Sequence, residues 1–436
     1  MLLVEQELRL PSPDSDIGVL GQLKAAVSRE LPSGLTPIRF VVTASDSSGY
    51  DCELGVASGL QDAGLSDPPS IFEFTRRQIE NVDKFNVVLI VPTGIGAEIG
   101  GHAGDAAPVA RLLGKCCDKL ITHPNVVNAS DINEIPDNGL YVEGSVLCRL
   151  LMGTAGLSPT RSNRVLVVLG AHEDNCFVTD AINSVNGARA SYGLRCPKII
   201  TVDPSMQMLA KYTSSGAAAG RVEDIDGLCR VLDEHRNEFD AVAVSSVIDV
   251  PHDYHMEYFL GEGKMVNPWG GVEAMLTHTI SSLYNIPSAH SPMFENREIA
   301  NLDPGIVDPR MAAEAVSVSF LQCTLKGLQR SPRIVTDRKV LEQPSVLTAE
   351  DVSCLVIPDG CLGLPTLAAL EQGIPVIAVR ENRNLMRNDL TRLSWAPDQL
   401  HFVENYWEAA GVIAAMKAGI APESVRRPLT YANIEA

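Results

Sequence analysis

Between Val91 and Ser145 the chain gathers two histidines, four asparagines, several carboxylates and a glycine-dense loop. These are the side chains that move protons and hold polar ligands. Residues 86–91 (NVVLIV) form an apolar run, as expected of a strand buried on both faces. Pro92-Thr93-Gly94-Ile95-Gly96 breaks it, and Gly100, Gly101 and Gly104 follow. Glycine admits positive φ and lets a ligand approach the backbone closely. Asp105 is expected to cap a helix over 105–117. Strand, glycine loop and helix start together make an anion site, because free N–H groups and the helix dipole point the same way. Thr93, Gly94, Gly96, Gly101, His102 and Asp105 are its candidates. The plain alternative is a tight structural loop. The spacing is neither G-x-G-x-x-G leading directly into a helix nor a P-loop.

A second strand over 119–122 leads to His123, which Pro124 forces out of the helical region. His123 is therefore expected at a strand's carboxyl end, beside Asn125, Asn128 and Asp131. Asx-turns and caps are the competing reading of these amides. A third strand over 140–142 ends at Glu143-Gly144-Ser145, with Ser145 as the cap of a helix to residue 152.

Residues 267–278 (NPWGGVEAMLTH) form a second rich stretch, with Trp269, Gly270 and Gly271 opening a helix to about residue 283. Glu273 shares a face with Thr277, and serves either as a catalytic carboxylate or only against the helix dipole. His290 is expected in a serine-flanked, proline-bounded loop, where Glu273 or Glu295 would orient it as a general base. A hydrogen-bonded loop histidine is the alternative. The catalytic candidates are thus His123, His290, Glu273 and Glu143. Near the C-terminus, strands over 353–357 and 376–379 end in loops carrying Asp359, Gly360, Gly363 and Asn382. Strand, glycine turn, short helix and second strand are similar to the nucleotide half of two-domain sugar-nucleotide transferases and epimerases. That resemblance implies a held pyrophosphate. His252 and His255 form H-x-x-H without a third ligand, so no metal is expected and both are read as solvent-facing loop residues.

The elements that must position these residues alternate strand and helix, which predicts an α/β fold of two or three Rossmann-like units with mostly parallel sheets. The units are expected at 1–160, 161–330 and 331–436, the last packing with the first. The expected strands include 37–43, 165–170, 198–202 and 241–247. Helices are expected over 17–29, 53–63, 177–190 and 225–235. Another is expected between 203 and 214, ahead of a glycine-alanine loop over 214–220. A long helix over 309–327 is read as core or as a homo-oligomer contact.

The chain has 436 residues, a formal charge of −19 and 45% hydrophobic residues. Such a charge argues against nucleic acid or an anionic membrane as the main partner. A small, anionic molecule is expected instead, met by local N–H groups and a few arginines. No apolar run approaches a membrane span, and the first residues lack the basic region of a signal or transit peptide. Ten cysteines without a C-x-x-C pair suit a reducing compartment, cytoplasm or plastid stroma. No cofactor is named by any motif.

The phrases PTGIGAEIGGHAGDAAPVARLL, THPNVVNASDINE, YVEGS, NPWGGVEAMLTH and PDGCLGLPTLAALEQGIPVIAVREN together resemble an uncharacterised family of cyanobacteria and plant plastids, domain of unknown function three-three-two-six. The resemblance covers most of the chain and implies no reaction. The residues favour an enzyme that transfers or hydrolyses a small polar or phosphorylated metabolite in an interdomain cleft. A sugar-nucleotide transferase or epimerase is the first alternative, and a non-catalytic metabolite sensor or assembly factor the second.

Overall fold

The computed structural model describes residues 1–14, 18–261, 263–429, 431–432 and 434. Three large sheets organise the chain. A six-stranded parallel sheet runs Leu400–Val403, Val376–Val379, Cys354–Pro358, Asn86–Leu89, Lys119–Thr122, Gly139–Tyr141. Counted by sequence within the sheet, the order is 6-5-4-1-2-3. Its two central strands, Asn86–Leu89 and Cys354–Pro358, come from opposite ends of the chain and are wholly buried. Burial on both faces is what their apolar, β-branched residues require. A four-stranded parallel sheet runs Ile199–Val202, Val165–Gly170, Ala241–Val247, Ser288–Met293.

The third sheet is antiparallel, so the fold is mixed rather than mostly parallel. Its order is Gln207–Tyr212, Ala218–Glu223, Leu2–Pro11, Gly49–Ser58, Leu35–Ser45, Leu362–Gly363. This sheet accounts for two departures from expectation. The helix expected over 53–63 is instead the end of the strand Gly49–Ser58, paired on both sides, followed by a turn. The helix and glycine-alanine loop expected after residue 203 form the hairpin Gln207–Tyr212 and Ala218–Glu223. In both places cross-strand pairing outweighs local helix preference.

Three further corrections bear on the site. His290 lies on the strand Ser288–Met293, not in a loop. That strand is at the sheet edge, where Pro292 removes no obligatory ladder bond. His252 and His255 lie on the helix His252–Leu260, and His255 is buried against Trp269 and Glu295 rather than solvent-facing. The long helix expected over 309–327 is broken into Ala312–Ala315 and Leu321–Arg330. Asp131 accepts from the hydroxyls of Ser317 and Ser319 and from the amide of Gln322, competing with helical bonding between the two pieces. The expected helix over 17–29 corresponds to Val19–Glu30, with Ile17 outside the described residues.

Candidate functional site

A cavity of about 830 Å³ opens where the parallel sheets meet. Ile90, Pro92, His123, Glu143 and Ile357, at or just beyond the carboxyl ends of the six-stranded sheet, line one side. Ala289 and His290 come from the four-stranded sheet, and the helix Gly270–Tyr284 contributes a full stripe. In open parallel sheets the carboxyl strand ends are where ligands bind. His123, Asn128, Glu273 and His290, far apart in sequence, share this cavity, together with Thr93, Asn125, Glu143, Ser145, Gly270 and Gly363.

Two carboxylate–imidazole pairs face it in opposite senses. Glu143 is buried and ends the turn before the helix Gly144–Leu151. It, not Ser145, is the cap: Ser145 donates to it through both its amide and its hydroxyl. His278 Nδ1 donates to Glu143 Oε1 at 2.5 Å. Burial raises the Glu143 pKa, but the His278 imidazole and the Ser145 bonds outweigh it and hold the carboxyl below its ordinary range. Within this pair the imidazole is the more accessible partner, at 16% against 3%. His278 Nε2 is left to act on a ligand while Glu143 fixes the ring. In the second pair, His290 Nδ1 donates to Glu273 Oε1 at 2.9 Å, and His290 Nε2 accepts from Ser246 Oγ at 2.9 Å. Here the carboxylate is the accessible partner, at 25% against 0%. Ser246 is fully buried and unable to act as a nucleophile, so Glu273 is the group presented to a ligand. Glu295 does not orient His290; it accepts instead from the amide of Val250 and pairs with His255 Nε2.

His123 supplies a third imidazole of fixed protonation. The Val91 amide donates to His123 Nε2 at 3.1 Å, so the ring proton sits on Nδ1. Burial pushes the ring's pKa down to about 4, with His278 adding to the shift and Glu143 opposing it. At neutral pH His123 is thus an uncharged donor, not a base. Asn125 gives its amide hydrogens to the carbonyls of Val91 and Gly100. Asn128 is held between Tyr141 and Asn133.

The anion site expected at the glycine loop is filled by the protein's own groups. Gly100 N–H donates to Asp105, Ala103 N–H to Glu314, and Ile99 N–H to Asn382. Asp105 is not an N-cap, since the helix Ala107–Gly114 starts beyond it at Ala106. Burial raises its carboxyl to about 7. His102 is buried against Tyr258 at 2.7 Å. Gly94 and Gly271 let the backbone of Ala218 pass closely, and Gly101 sits over the carbonyl of Ala97. Gly96, of positive φ, packs against Val266. These residues shape the wall without lining the cavity. Asp359 and Gly360 belong to a loop closed by Asn384 and Asn388, and Asn382 bridges Ile99 and Tyr406. Asp131 and Trp269 stand outside the large cavity as well.

Of the five arginines on its wall, Arg76 and Arg338 are exposed, Arg39 is neutralised by Glu5 at 2.6 Å, and Arg77 is held by backbone carbonyls. Arg149 has no carboxylate within ion-pair distance among the described residues, and is tied to Ser281 and Asn285. No group of metal-ligating side chains occurs among the described residues.

His278 belongs to no motif of its own in the sequence. Its signal is helical spacing: Gly270, Glu273, Ala274, Thr277, His278 and Ser282 share one helix face, and all line the cavity. The class these features define is a mixed α/β protein with paired acid–base side chains around one cavity. The chain belongs to the family described as "Protein of unknown function (DUF3326)", which matches residues 86–426. It is 34% identical over 355 residues to a Synechococcus sp. (strain ATCC 27144 / PCC 6301 / SAUG 1402/1) protein named "Uncharacterized lipoprotein", covering 79% of this chain and 95% of that relative. No solved structure matches. No helix among the described residues is long and apolar enough to cross a membrane.

Proposed function

We propose that the protein is a non-redox enzyme that performs acid–base chemistry, transfer or hydrolysis, on a small polar metabolite. The observation that carries this reading is the opposed pair of dyads. A base with a free imidazole nitrogen, His278, and a carboxylate backed by an imidazole, Glu273, face one cavity. In this reading His278 Nε2 takes a proton from the substrate's hydroxyl or from water, and Glu143 stabilises the imidazolium that forms. The Nδ1–H of neutral His123 polarises a carbonyl oxygen, as a hydrogen-bond donor that no proton loss can switch off near pH 7. Glu273 handles the second proton, with His290 as its positioning residue. Arg149 is the cation we assign to an anionic group on the ligand. The setting is taken to be cytoplasm or plastid stroma.

The test is turnover. Purified protein is incubated with a pooled set of small phosphorylated and hydroxylated metabolites, and the pool is followed by mass spectrometry. Wild type depletes at least one compound, and His278→Gln slows that depletion by about 10²–10⁴-fold, the usual weight of a general base, while binding changes little. A compound that stabilises both proteins against heat and is consumed by neither makes the protein a sensor instead.

A nucleotide-sugar transferase or epimerase is a second reading with one observation in its favour. The all-parallel order 3-2-1-4-5-6, read from the other edge, is that of doubly wound Rossmann-like sheets, and Pro92, Thr93, Cys361 and Leu362 border the cavity beside its switch point. Thermal stabilisation by uridine or adenosine diphosphate, absent with inorganic phosphate, selects it.

A further inference from the structure

Behind Glu273 and His290 lies a second cavity of about 190 Å³. It shares Ala103, Asn128, Asn267, Glu273 and His290 with the large one, so these residues form the partition between two rooms. Its walls combine four aromatic rings, Trp269, Phe259, Phe294 and Phe320, with the carboxyls of Glu273, Glu295 and Glu314. Trp269 packs edge-on against Tyr258 at 5.3 Å, and Phe294 against Phe320 at 5.2 Å. Roughly 150 Å³ is room enough for a benzene ring.

Ser130 is the first turn residue of the hairpin joining Asn128–Ala129 to Ile132–Asn133, a position that takes a positive φ, so its hydroxyl is the feature of this cavity that has a cost without a return. Ser130 lines it, is 4% exposed, and holds a left-handed φ of 58°. Its hydroxyl is buried without any hydrogen-bond partner. An unsatisfied buried hydroxyl and a left-handed non-glycine backbone are each unfavourable, and glycine at this position would remove both. Phe320, which also lines the cavity, holds a left-handed φ of 52° at the start of the helix Leu321–Arg330. Asp131, next to Ser130, binds Ser317, Ser319 and Gln322 and so fixes the segment that carries Phe320. An orphan hydroxyl on the wall of a cavity is the pattern of a ligand contact.

We propose that the small cavity is a subsite for a single ring bearing a hydrogen-bonding oxygen, with the ring held by Trp269 and Phe320 and the oxygen met by Ser130. The substrate is then amphipathic, its polar reacting part among the dyads and its ring behind Glu273. This placement of the reacting part rests on the function proposed above; the subsite itself does not.

The experiment is equilibrium binding of benzyl alcohol and toluene to the full chain, measured by calorimetry with no turnover involved. Wild type is expected to bind benzyl alcohol about tenfold more tightly than toluene, the weight of one buried hydrogen bond. Ser130→Gly is expected to erase that preference while its melting temperature stays level or rises. Ala300→Phe, which fills the cavity from its partly open edge, is expected to abolish binding of both probes. Equal affinities in wild type, an undiminished preference in Ser130→Gly, or binding that survives Ala300→Phe each overturn the subsite. His278→Gln separates the two claims. If it binds both probes as wild type does yet turns over normally, the catalytic reading fails alone. If it loses turnover while wild type binds neither probe, the subsite fails alone.

Discussion

Glu143–His278 and Glu273–His290 use the same hydrogen bond with reversed accessibility, and burial decides which member meets the ligand. The same factor governs Glu314, whose carboxyl accepts from Ala103 N–H and Tyr258 and is pushed up to about 7, chiefly by burial and then by the charges of Asp105 and Glu273. A carboxyl raised in the fold is protonated there before it is in the unfolded chain. Its contribution is therefore fully present below the ordinary pKa of 4.5 and is lost as pH rises through 7. Glu314→Gln copies the protonated form. It is expected to stabilise the protein at pH 8 by up to about 3 kcal/mol and to leave it unchanged at pH 4.5, read as melting temperature at both values. His102 and His123 carry the opposite sign. Both are lowered to about 4, so their neutral forms cost stability as pH falls below 6.5.

At the scale of elements, the helix Gly144–Leu151 and the helix Gly270–Tyr284 meet across one glycine. A Cβ on Gly144 would lie 2.9 Å from His278 Cε1, and the ring is tied to Glu143 and cannot retreat without losing that bond. Gly144→Ala is expected to lower turnover by about 10²-fold, the cost of misplacing a catalytic group by roughly 1 Å. Stability is expected to hold, since alanine favours a helix over glycine; a variant that melts early and works normally when cold contradicts this. The elements also show what was legible in the sequence. Runs such as 86–91 and 165–170 announce buried parallel strands because their apolar residues have no polar face to turn outward. His123 at a strand end was readable from Pro124. The strand Ser288–Met293 was not, because serines, a histidine and a proline carry no local strand signal and its pairing with Ala241–Val247 supplies it. The glycine loop suggested an anion site. Nothing local to it reveals that Glu314 and Asn382, each more than two hundred residues away, occupy the N–H groups of Ala103 and Ile99.

For the whole molecule, the site depends on contacts no local pattern contains. The six-stranded sheet joins strands near residues 86 and 354, and the four-stranded sheet brings His290 to the far side of the same cavity. The family match begins at residue 86, at the first strand of the six-stranded sheet, and spans both parallel sheets. The measurement that reaches the central claim most directly is a structure of the protein bound to the compound it consumes. The account predicts the reacting atom within hydrogen-bond reach, about 2.6–3.2 Å, of His278 Nε2 or the Glu273 carboxylate, with a carbonyl or hydroxyl oxygen on His123 Nδ1. A ligand seated at the Gly94–Gly104 loop or the Asp359–Gly363 turn, touching none of these three side chains, would contradict it.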